Sequence, residues 1–387
     1  MLKQILAVTA MNIRSLPQRL SSSLVTVIGV ACVVAVMVSL LAISAGLMQS
    51  STRGSDPNQV ILLSAGATAA YMGSISREEA AIASNAPGIK KGPDGKPLID
   101  PQATIVVEVT KKSDGGSANT GFQGISAQWL AKEPTFKLVA GRMYRPAVRE
   151  LIVGKQARTQ FKDLQVGDNI RLRGSDWKVV GAFEENGGLA ENGIVGDTDT
   201  VLAAFDRNAY QSVAARLDSM QSFQRFKDWV TTNPQLKLDV KKQSQYIQDQ
   251  LQQLTVILDF VGYFVGVVMA VGAVFGALNT MYSAVDARAR EIATLRAIGF
   301  GATAVVVSVM VESLLLSVPG ALLGAGVAWL AFNGNAAHIA SLTFPLMVTP
   351  GLVMLGVIWS LIIGLIGGFA PSIRAARLPV AVALRAT

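Results

Sequence analysis

Charged residues are scarce in this chain. Of its 387 residues only 16% are Asp, Glu, Lys or Arg, whereas 51% are hydrophobic. A soluble globular domain typically carries about 25% charged residues, and disordered chains are poor in hydrophobic ones. The composition therefore excludes a disordered or nucleic-acid-binding tail protein, although the net charge of +8 alone would suggest an acidic partner.

Histidine and cysteine each occur once. A multi-histidine metal site cannot form within one chain, and the loop position of His338 argues against a Ser-His-Asp arrangement. The sequence contains no ATP-binding P-loop of the form G-x-x-x-x-G-K-[ST]. The Gly-Lys-Gln run at 154–156 lacks both the first glycine of that motif and the Ser or Thr hydroxyl after the lysine. Cys32 lies in an apolar run, so the rest of the chain has no disulfide. We predict no catalytic residue, no metal site and no cofactor bound by this chain.

The missing charges define four long apolar runs. No Asp, Glu, Lys or Arg occurs in residues 20–52, 260–285 or 313–373. A bilayer needs about 20 apolar helical residues, so we predict spans at 24–48, 260–285, 304–332 and 347–369. The first run could be a cleaved signal peptide, but its apolar part is about twice the usual length, which favours an anchor.

Basic residues give the orientation. They flank the spans at the N-terminal segment 1–23, the loop 286–300 and the tail 370–387, and are absent from the loop 333–346. By the positive-inside rule both termini are cytoplasmic. The nine basic residues concerned are Lys3, Arg14, Arg19, Arg288, Arg290, Arg296, Arg374, Arg377 and Arg385. Most of the excess positive charge is therefore a topology signal.

Residues 49–240 are expected to form an external α+β domain inserted between the first and second spans. Strands are predicted at 59–63, 103–109 and 177–183, with a hairpin formed by 169–173 and 177–183. Ser76 and Glu79 form a capping box before a short helix, and 222–230 is a second helix. Glycine, proline and serine indicate loops at 88–97 and 113–120.

Residues 241–259 form an amphipathic helix that no proline or glycine separates from the second span. Either it packs on its own domain, or it projects as a stalk that pairs with a second subunit or with the first span. Its narrow apolar seam consists of Ile247, Leu251, Leu254 and Leu258.

Small residues one helical turn apart allow close packing of membrane helices or a dimer seam. The candidate pairs are Gly262/Gly266, Gly272/Gly276, Gly320/Gly324 and Gly364/Gly368. Two acids border the spans and are functional candidates. Asp259 is expected at the headgroup level. Glu312 lies either about 14 Å inside a span that starts near residue 303, at ~1.5 Å per residue, or at the cytoplasmic interface. In either position it could pair with an arginine of the cytoplasmic side.

The segment after the second span is the most informative. Residues 286–298 favour a helix that stops at Gly299, a residue suited to a helix C-cap. Arg288 and Glu291 have i,i+3 spacing, and an amphipathic helix here could lie on lipid headgroups or enter a partner's groove. The candidate residues are Asp286, Arg288, Arg290, Glu291, Leu295, Arg296, Ala297 and Gly299.

This segment, the run Glu312 to Leu316 with Gly320 and Gly324, and the tail 371–385 resemble the permease family shared by the macrolide exporter MacB, the cell-division permease FtsX and the lipoprotein-releasing Lol permeases. The runs 141–154, 166–168 and 179–181 resemble the family's periplasmic domain. The resemblance implies that 286–299 docks on a separate ABC ATPase, which binds the ATP and Mg²⁺. It also implies a permease homodimer in a bacterial inner membrane, acting with a periplasmic adaptor and an outer-membrane channel.

Three functions remain open for such a permease. It could serve export of a drug, peptide or envelope substrate, activate a periplasmic hydrolase without transport, or release lipoproteins. If the coupling assignment is right, replacing Arg290, Glu291 and Arg296 together should uncouple the complex.

Overall fold

A computed structural model describes residues 20–53, 56–339 and 342–377. Two compact units are present. An α+β unit consists of Leu47–Leu254 and Ala336–Pro345, and a helical unit consists of Thr255–Asn335 with the segments that end at Gly46 and begin at Leu346. Lys3, Arg14, Arg19 and Arg385, which support the predicted orientation, lie outside the described residues.

The helical unit is built from long apolar helices. Four helices of the described chain are long and apolar enough to cross a bilayer. They extend beyond the predicted spans, and the fourth begins at Pro350 rather than 347 and continues through Pro371 to Arg377. The four are α1 (Leu20–Arg53), α7 (Gln243–Ala287), α9 (Ala302–Phe332) and α10 (Pro350–Arg377).

Glycines bring these helices into backbone contact. A Cβ on Gly320 would lie 2.8 Å from the Val27 carbonyl oxygen, and one on Gly324 would lie 2.3 Å from that of Ala31. Gly364 and Gly368 face serines of α9, and the Ser313 hydroxyl donates to the Gly364 carbonyl at 2.6 Å. Only glycine permits such approaches, so these pairs hold α9 against α1 and α10.

The other two pairs differ from each other. Gly262 and Gly266 of α7 pack on Leu41 and Met37 of α1. Gly272 and Gly276 have no atom within 4 Å of an added Cβ. They therefore make no close contact within the described chain.

The α+β unit has one large mixed sheet of ten strands. The strands are β1 (Gln59–Ser64), β2 (Ile99–Thr110), β3 (Ser117–Gly124), β4 (Lys137–Gly141), β5 (Glu150–Gly154), β6 (Asn169–Leu172), β7 (Ser175–Glu184), β8 (Ile194–Gly196), β9 (Ser212–Arg216) and β10 (Leu238–Lys242). Their order in the sheet is β10-β1-β9-β2-β3-β8-β5-β7-β4, with β6 paired to β7. Residues 99–102 of β2 pair with β9, and residues 103–110 pair with β3, so β2 joins the two halves of the sheet.

Short helices cover this sheet. The core centres on Phe122, whose ring meets Trp177 and Phe205 edge to face with centroids 4.9 and 5.9 Å apart. The helices are α2 (Arg77–Ala83), α3 (Ala127–Ala131), α4 (Lys155–Gln160), α5 (Thr198–Ala204) and α6 (Phe223–Thr232). The unit thus has the predicted α+β composition.

Several local predictions can be compared with the structure. The capping box of Ser76 and Glu79 is confirmed. The β6–β7 hairpin is also confirmed, but its turn is formed by Arg173 and Gly174, both with positive φ, rather than by 174–176. The prediction of a loop over 113–120 is wrong at its C-terminal end, because β3 begins at Ser117.

The predicted loop 333–346 is a hairpin. β11 (Ala336–Ile339) pairs with β12 (Leu342–Pro345), and His338 Nδ1 lies 2.8 Å from the Thr343 hydroxyl. Asn192 fixes this hairpin within the α+β unit, because its side chain donates to the Thr343 carbonyl at 3.1 Å and accepts from the Thr343 amide at 2.7 Å. Such a pairing across 151 positions cannot be read from local sequence.

Candidate functional site

The predicted docking segment is a short helix flanked by two long ones. Helix α8 (Ala289–Ala297) is separated from α7 by Arg288, whose φ of −105° and ψ of 8° interrupt the helical path. The sequence predicted one helix over 286–298. In the structure Asp286 lies on α7 and Arg288 lies in the break between the two helices. Arg288 and Glu291 are therefore not an i,i+3 pair within one helix, as the sequence predicted.

A glycine ends α8 as predicted. Gly299 has a φ of +103°, and its amide donates to the Arg296 carbonyl at 3.1 Å. The Phe300 amide donates to the Leu295 carbonyl at 3.1 Å, which completes a Schellman motif. The end of the helix is therefore fixed by backbone bonds that require a left-handed residue at 299.

One face of α8 is anchored in the helical unit. Ile292 and Ala293 are buried, and Ile292 packs in a cluster with Val285 of α7, Val305 and Val309 of α9, and Ala375 of α10. Ile292 is thus held by all three neighbouring long helices.

An ion pair secures the break itself. Arg288 Nη1 lies 2.8 Å from Glu312 Oε2, and both side chains are buried. This contact agrees with the predicted pairing of Glu312 with an arginine, and it places Glu312 beside the end of α7. It also corrects the assignment of Arg288 to a docking surface, because a side chain with 5% exposure cannot contact a separate subunit.

Two further arginines connect this region to α10. Arg296 Nη1 donates to the Ala376 carbonyl at 2.6 Å. Arg374 pairs with Asp286 at 3.3 Å and lies over the ring of Tyr282 at 5.3 Å. Arg296 therefore has an anchoring contact that the sequence did not reveal.

The opposite face of α8 is exposed. Arg290, Glu291, Thr294 and Ala297 are exposed, and Ile298 is 72% exposed at the helix end. Leu295 is half-buried between the two faces. Ile298 was not among the predicted docking residues, because the sequence pattern placed it within the helix, whereas in the structure it is the C-cap. The helix thus presents two opposite charges and one apolar side chain on a fixed support.

The predicted stalk begins on the α+β unit. Tyr246 Oη accepts a hydrogen bond from the Ala70 amide at 2.8 Å, and Gln250 Nε2 donates to the Thr68 carbonyl at 2.6 Å. Its seam is the less exposed side, with Leu251 buried and Ile247, Leu254 and Leu258 half-buried, and Asp259 follows half-buried. The first turns therefore pack on their own domain, one of the two alternatives.

Carboxyl groups with shifted pKa values occur in the α+β unit. Hydrogen bonds from Arg142, and also from Arg145, hold the pKa of Glu150 well below its ordinary value against the effect of its burial. Burial raises the pKa of Asp100 to about 6, against hydrogen bonds from Ser126. Among residues 20–53, 56–339 and 342–377, no group of three His, Cys, Asp or Glu side chains could hold a metal ion.

Two family models match the chain. The MacB-like periplasmic core domain matches residues 23–233, and the FtsX-like permease C-terminal region matches residues 263–380. A sequence relative is the uncharacterized ABC transporter permease YknZ of Bacillus subtilis strain 168, 30% identical over 131 residues. That match covers 34% of this chain and about a third (32%) of the relative.

Solved structures of isolated domains are also similar. The extracellular domain of YknZ, a noncanonic ABC-type transporter from Gram-positive bacteria, is 13% identical with a TM-score of 0.35, over 48% of this chain and 100% of that one. The periplasmic region of MacB from Actinobacillus actinomycetemcomitans is 13% identical with a TM-score of 0.37, over 52% and 95%. A domain of a putative permease from Porphyromonas gingivalis is 15% identical with a TM-score of 0.33, over 48% and 88%.

Proposed function

The chain belongs to the family of MacB- and FtsX-type ABC transporter permeases, and from that premise we propose that it is a permease subunit driven by a separate ATPase chain. In this proposal α8 is the element that docks on the ATPase. The observation that carries it is the division of α8 into an anchored face, with Ile292 among three long helices, and an exposed face with Arg290, Glu291 and Ile298.

Coupling requires that the ATPase bind two permease conformations with different affinity. A docking helix transmits force only if it moves together with the helices behind it. The Arg288–Glu312 pair and the hydrogen bond from Arg296 to the Ala376 carbonyl join α8 to α9 and α10. These contacts support a rigid lever in which displacement of α8 displaces the long helices.

The remaining assignments follow the family and the charge pattern. We propose an inner-membrane location with cytoplasmic termini and a periplasmic α+β unit. ATP and Mg²⁺ would be bound by the ATPase, and ATP-driven movement of the α+β unit would serve export of a drug, peptide or envelope substrate. A second permease copy, a periplasmic adaptor and an outer-membrane channel complete the proposed assembly.

The test is copurification of the full chain with its coexpressed ATPase in mild detergent, followed by measurement of ATP hydrolysis. The variant Arg290→Ala/Glu291→Ala/Ile298→Ala removes the two exposed charges and the exposed apolar side chain, and it keeps Arg288, Ile292 and Arg296. We expect loss of the ATPase from the purified complex while the permease remains folded. Arg225→Ala/Asp228→Ala, exposed on α6 of the α+β unit, is the matched control and should retain the ATPase.

Retention of the ATPase by the α8 variant would refute the docking assignment. The other proteins that copurify separate the functions of the family. An adaptor supports export, a second permease supports lipoprotein release, and a peptidoglycan hydrolase supports transduction without transport.

A further inference from the structure

A polar cavity of about 260 Å³ lies within the α+β unit. Its walls come from distant parts of the chain: the end of α1 with Ser50, the α3 region with Trp129 and Glu133, the end of β7 with Phe183 and Glu185, and the first turns of α7 with Gln243. The volume is close to the lower end of small-molecule sites and suits a group the size of a long side chain. The proposed ATPase docking uses none of these residues.

Buried oxygen atoms without hydrogen-bond partners line this cavity. Glu133 Oε2 lies 2.8 Å from Arg216 Nη2, but Glu133 Oε1 accepts no hydrogen bond from the described residues, although the side chain is only 5% exposed. Gln243 Oε1 and the Ser50 hydroxyl are also buried without a partner. Leaving a buried acceptor unsatisfied costs about 1–3 kcal/mol, so the cavity favours an occupant that carries N–H donors.

A second carboxyl group, that of Glu185, also lines the cavity. Its burial, together with the negative charges of Glu133 and Glu191, raises its pKa to about 8. Two arginines lie near these carboxyl groups. Arg216 contacts Glu133, Asp56 and the Lys132 carbonyl, and Arg53 Nη1 lies beside Gly187, 3.8 Å from where a Cβ would be. Among the described residues that line the cavity, Glu133 and Glu185 are acidic and none is a lysine or arginine.

We propose that this cavity is a binding site for an organic cation with N–H donors, an ammonium, amidinium or guanidinium group on an apolar body. The cation would donate to Glu133 Oε1 and Gln243 Oε1 and pair with the Glu185 carboxylate. The apolar body would contact the apolar side chains of the lining, among them Leu130 and the stacked rings of Phe136 and Phe183. Such a group is carried by a free amine or by a lysine or arginine side chain of a polypeptide.

Titration of benzamidine against the full chain, by calorimetry in nanodiscs of phosphatidylcholine, tests the site. Benzamide is the neutral ligand of matched shape, and the phosphatidylcholine headgroup has no N–H donor that would compete. We expect benzamidine to bind at least tenfold more tightly than benzamide at pH 9. Equal binding of the two ligands, or no binding of benzamidine, would overturn the proposal.

The pH dependence is a second measurement on the unaltered protein. Benzamidine stays charged between pH 7 and pH 9, whereas the ionised fraction of Glu185 increases from about 0.1 to about 0.9 for a pKa of about 8. Because apparent affinity is proportional to the competent fraction, we expect it to rise about tenfold over this range. A flat profile would contradict the role of Glu185.

Glu185→Gln is the discriminating variant, because it replaces a carboxyl that is mostly protonated at pH 7 with a neutral group of similar shape. We expect it to unfold at the wild-type temperature at pH 7, to bind benzamidine about tenfold more weakly than the wild type at pH 9, and to lose the pH dependence of binding. Glu184→Gln is the control, since Glu184 is the preceding residue, at the end of β7, pairs with Lys155 at 3.1 Å and does not line the cavity. Unchanged binding by folded Glu185→Gln would refute the site.

The two sources of the cation are distinguished with capped tripeptides that carry arginine or glutamine between two glycines. Binding of the arginine peptide in preference to the glutamine peptide assigns the site to a polypeptide side chain. Binding of benzamidine without the arginine peptide assigns it to a free small molecule.

Discussion

Arg288 and Glu312 form an ion pair at 2.8 Å, and both side chains are buried, with 5% of Arg288 and 8% of Glu312 exposed to solvent. Asp286 and Arg374 form a second pair close by, but more than half of each side chain is exposed. Buried and exposed pairs differ greatly in what their loss costs, because a buried charge left alone keeps its desolvation penalty.

Removal of one member of the buried pair should therefore destabilise the protein strongly. We expect Arg288→Met to lower the free energy of unfolding by about 3–5 kcal/mol. The double variant Arg288→Met/Glu312→Leu should recover most of this loss, since it leaves no unpaired charge. Unfolding of the full chain in detergent measures both, and Asp286→Asn, with a loss below about 1 kcal/mol, is the control. A double variant as unstable as the single one would contradict the pair's role.

Glu150 provides a prediction for acid conditions. Its folded-state pKa is depressed by Arg142 and Arg145, so its stabilising effect is present above the ordinary carboxyl value near 4.5 and is lost as pH falls below it. We expect Glu150→Gln to cost only about 1–2 kcal/mol at pH 7, because the side chains of Arg142 and Arg145 are 49% and 67% exposed and solvent screens their charges.

The difference between wild type and Glu150→Gln should decrease between pH 4.5 and pH 3. Thermal unfolding of the full chain across this range measures it. Asp199→Asn, which breaks the exposed pair with Arg77, should show little effect at either pH. If the difference in stability between the wild type and Glu150→Gln does not change with pH, the charge of the Glu150 carboxylate is not what stabilises the fold.

At the scale of elements, sequence reasoning succeeded where one local property decides the structure. The four apolar helices follow from uncharged runs, and the end of α8 follows from a glycine that tolerates a φ of +103°. The break at Arg288 was not predictable, because it depends on the buried Glu312, which is 24 positions away. The β11–β12 hairpin and the cavity at Glu185 likewise depend on contacts between distant segments.

Helix packing is the element-scale property most open to test. An added methyl at Gly324 would meet the Ala31 carbonyl at 2.3 Å, whereas one at Gly276 would meet nothing within 4 Å. We expect Gly324→Ala to lower stability by about 1–3 kcal/mol through overpacking. Gly276→Ala should be neutral or stabilising by up to about 1 kcal/mol through helix propensity.

Unfolding of the full chain by increasing sodium dodecyl sulfate in mild detergent compares these two variants. Equal losses would show that α1 and α9 are not in backbone contact at Gly324. A loss of self-association in Gly276→Leu without a loss of stability would identify the open Gly272/Gly276 face as a seam between permease copies.

At the scale of the whole molecule, the proposed coupling has a thermodynamic requirement. If α8 binds the ATP-bound and ATP-free ATPase with different affinity, nucleotide must change the affinity of ATPase for permease by some factor. Linkage then requires that the permease change the ATPase's affinity for nucleotide by the same factor. Coupling free energies of about 1–3 kcal/mol would correspond to factors of about 5–150.

We expect a non-hydrolysable ATP analogue to shift the affinity of the full chain for its ATPase by a factor in this range. Titration of nucleotide with and without permease should return the same factor. In Ile298→Ala both factors should fall together, because the exposed side chain at the end of α8 contributes to the contact that distinguishes the two states. Arg225→Ala should leave both unchanged. If nucleotide affects binding but Ile298→Ala changes affinity equally in both states, α8 is an attachment point and the discriminating contact lies elsewhere on the permease.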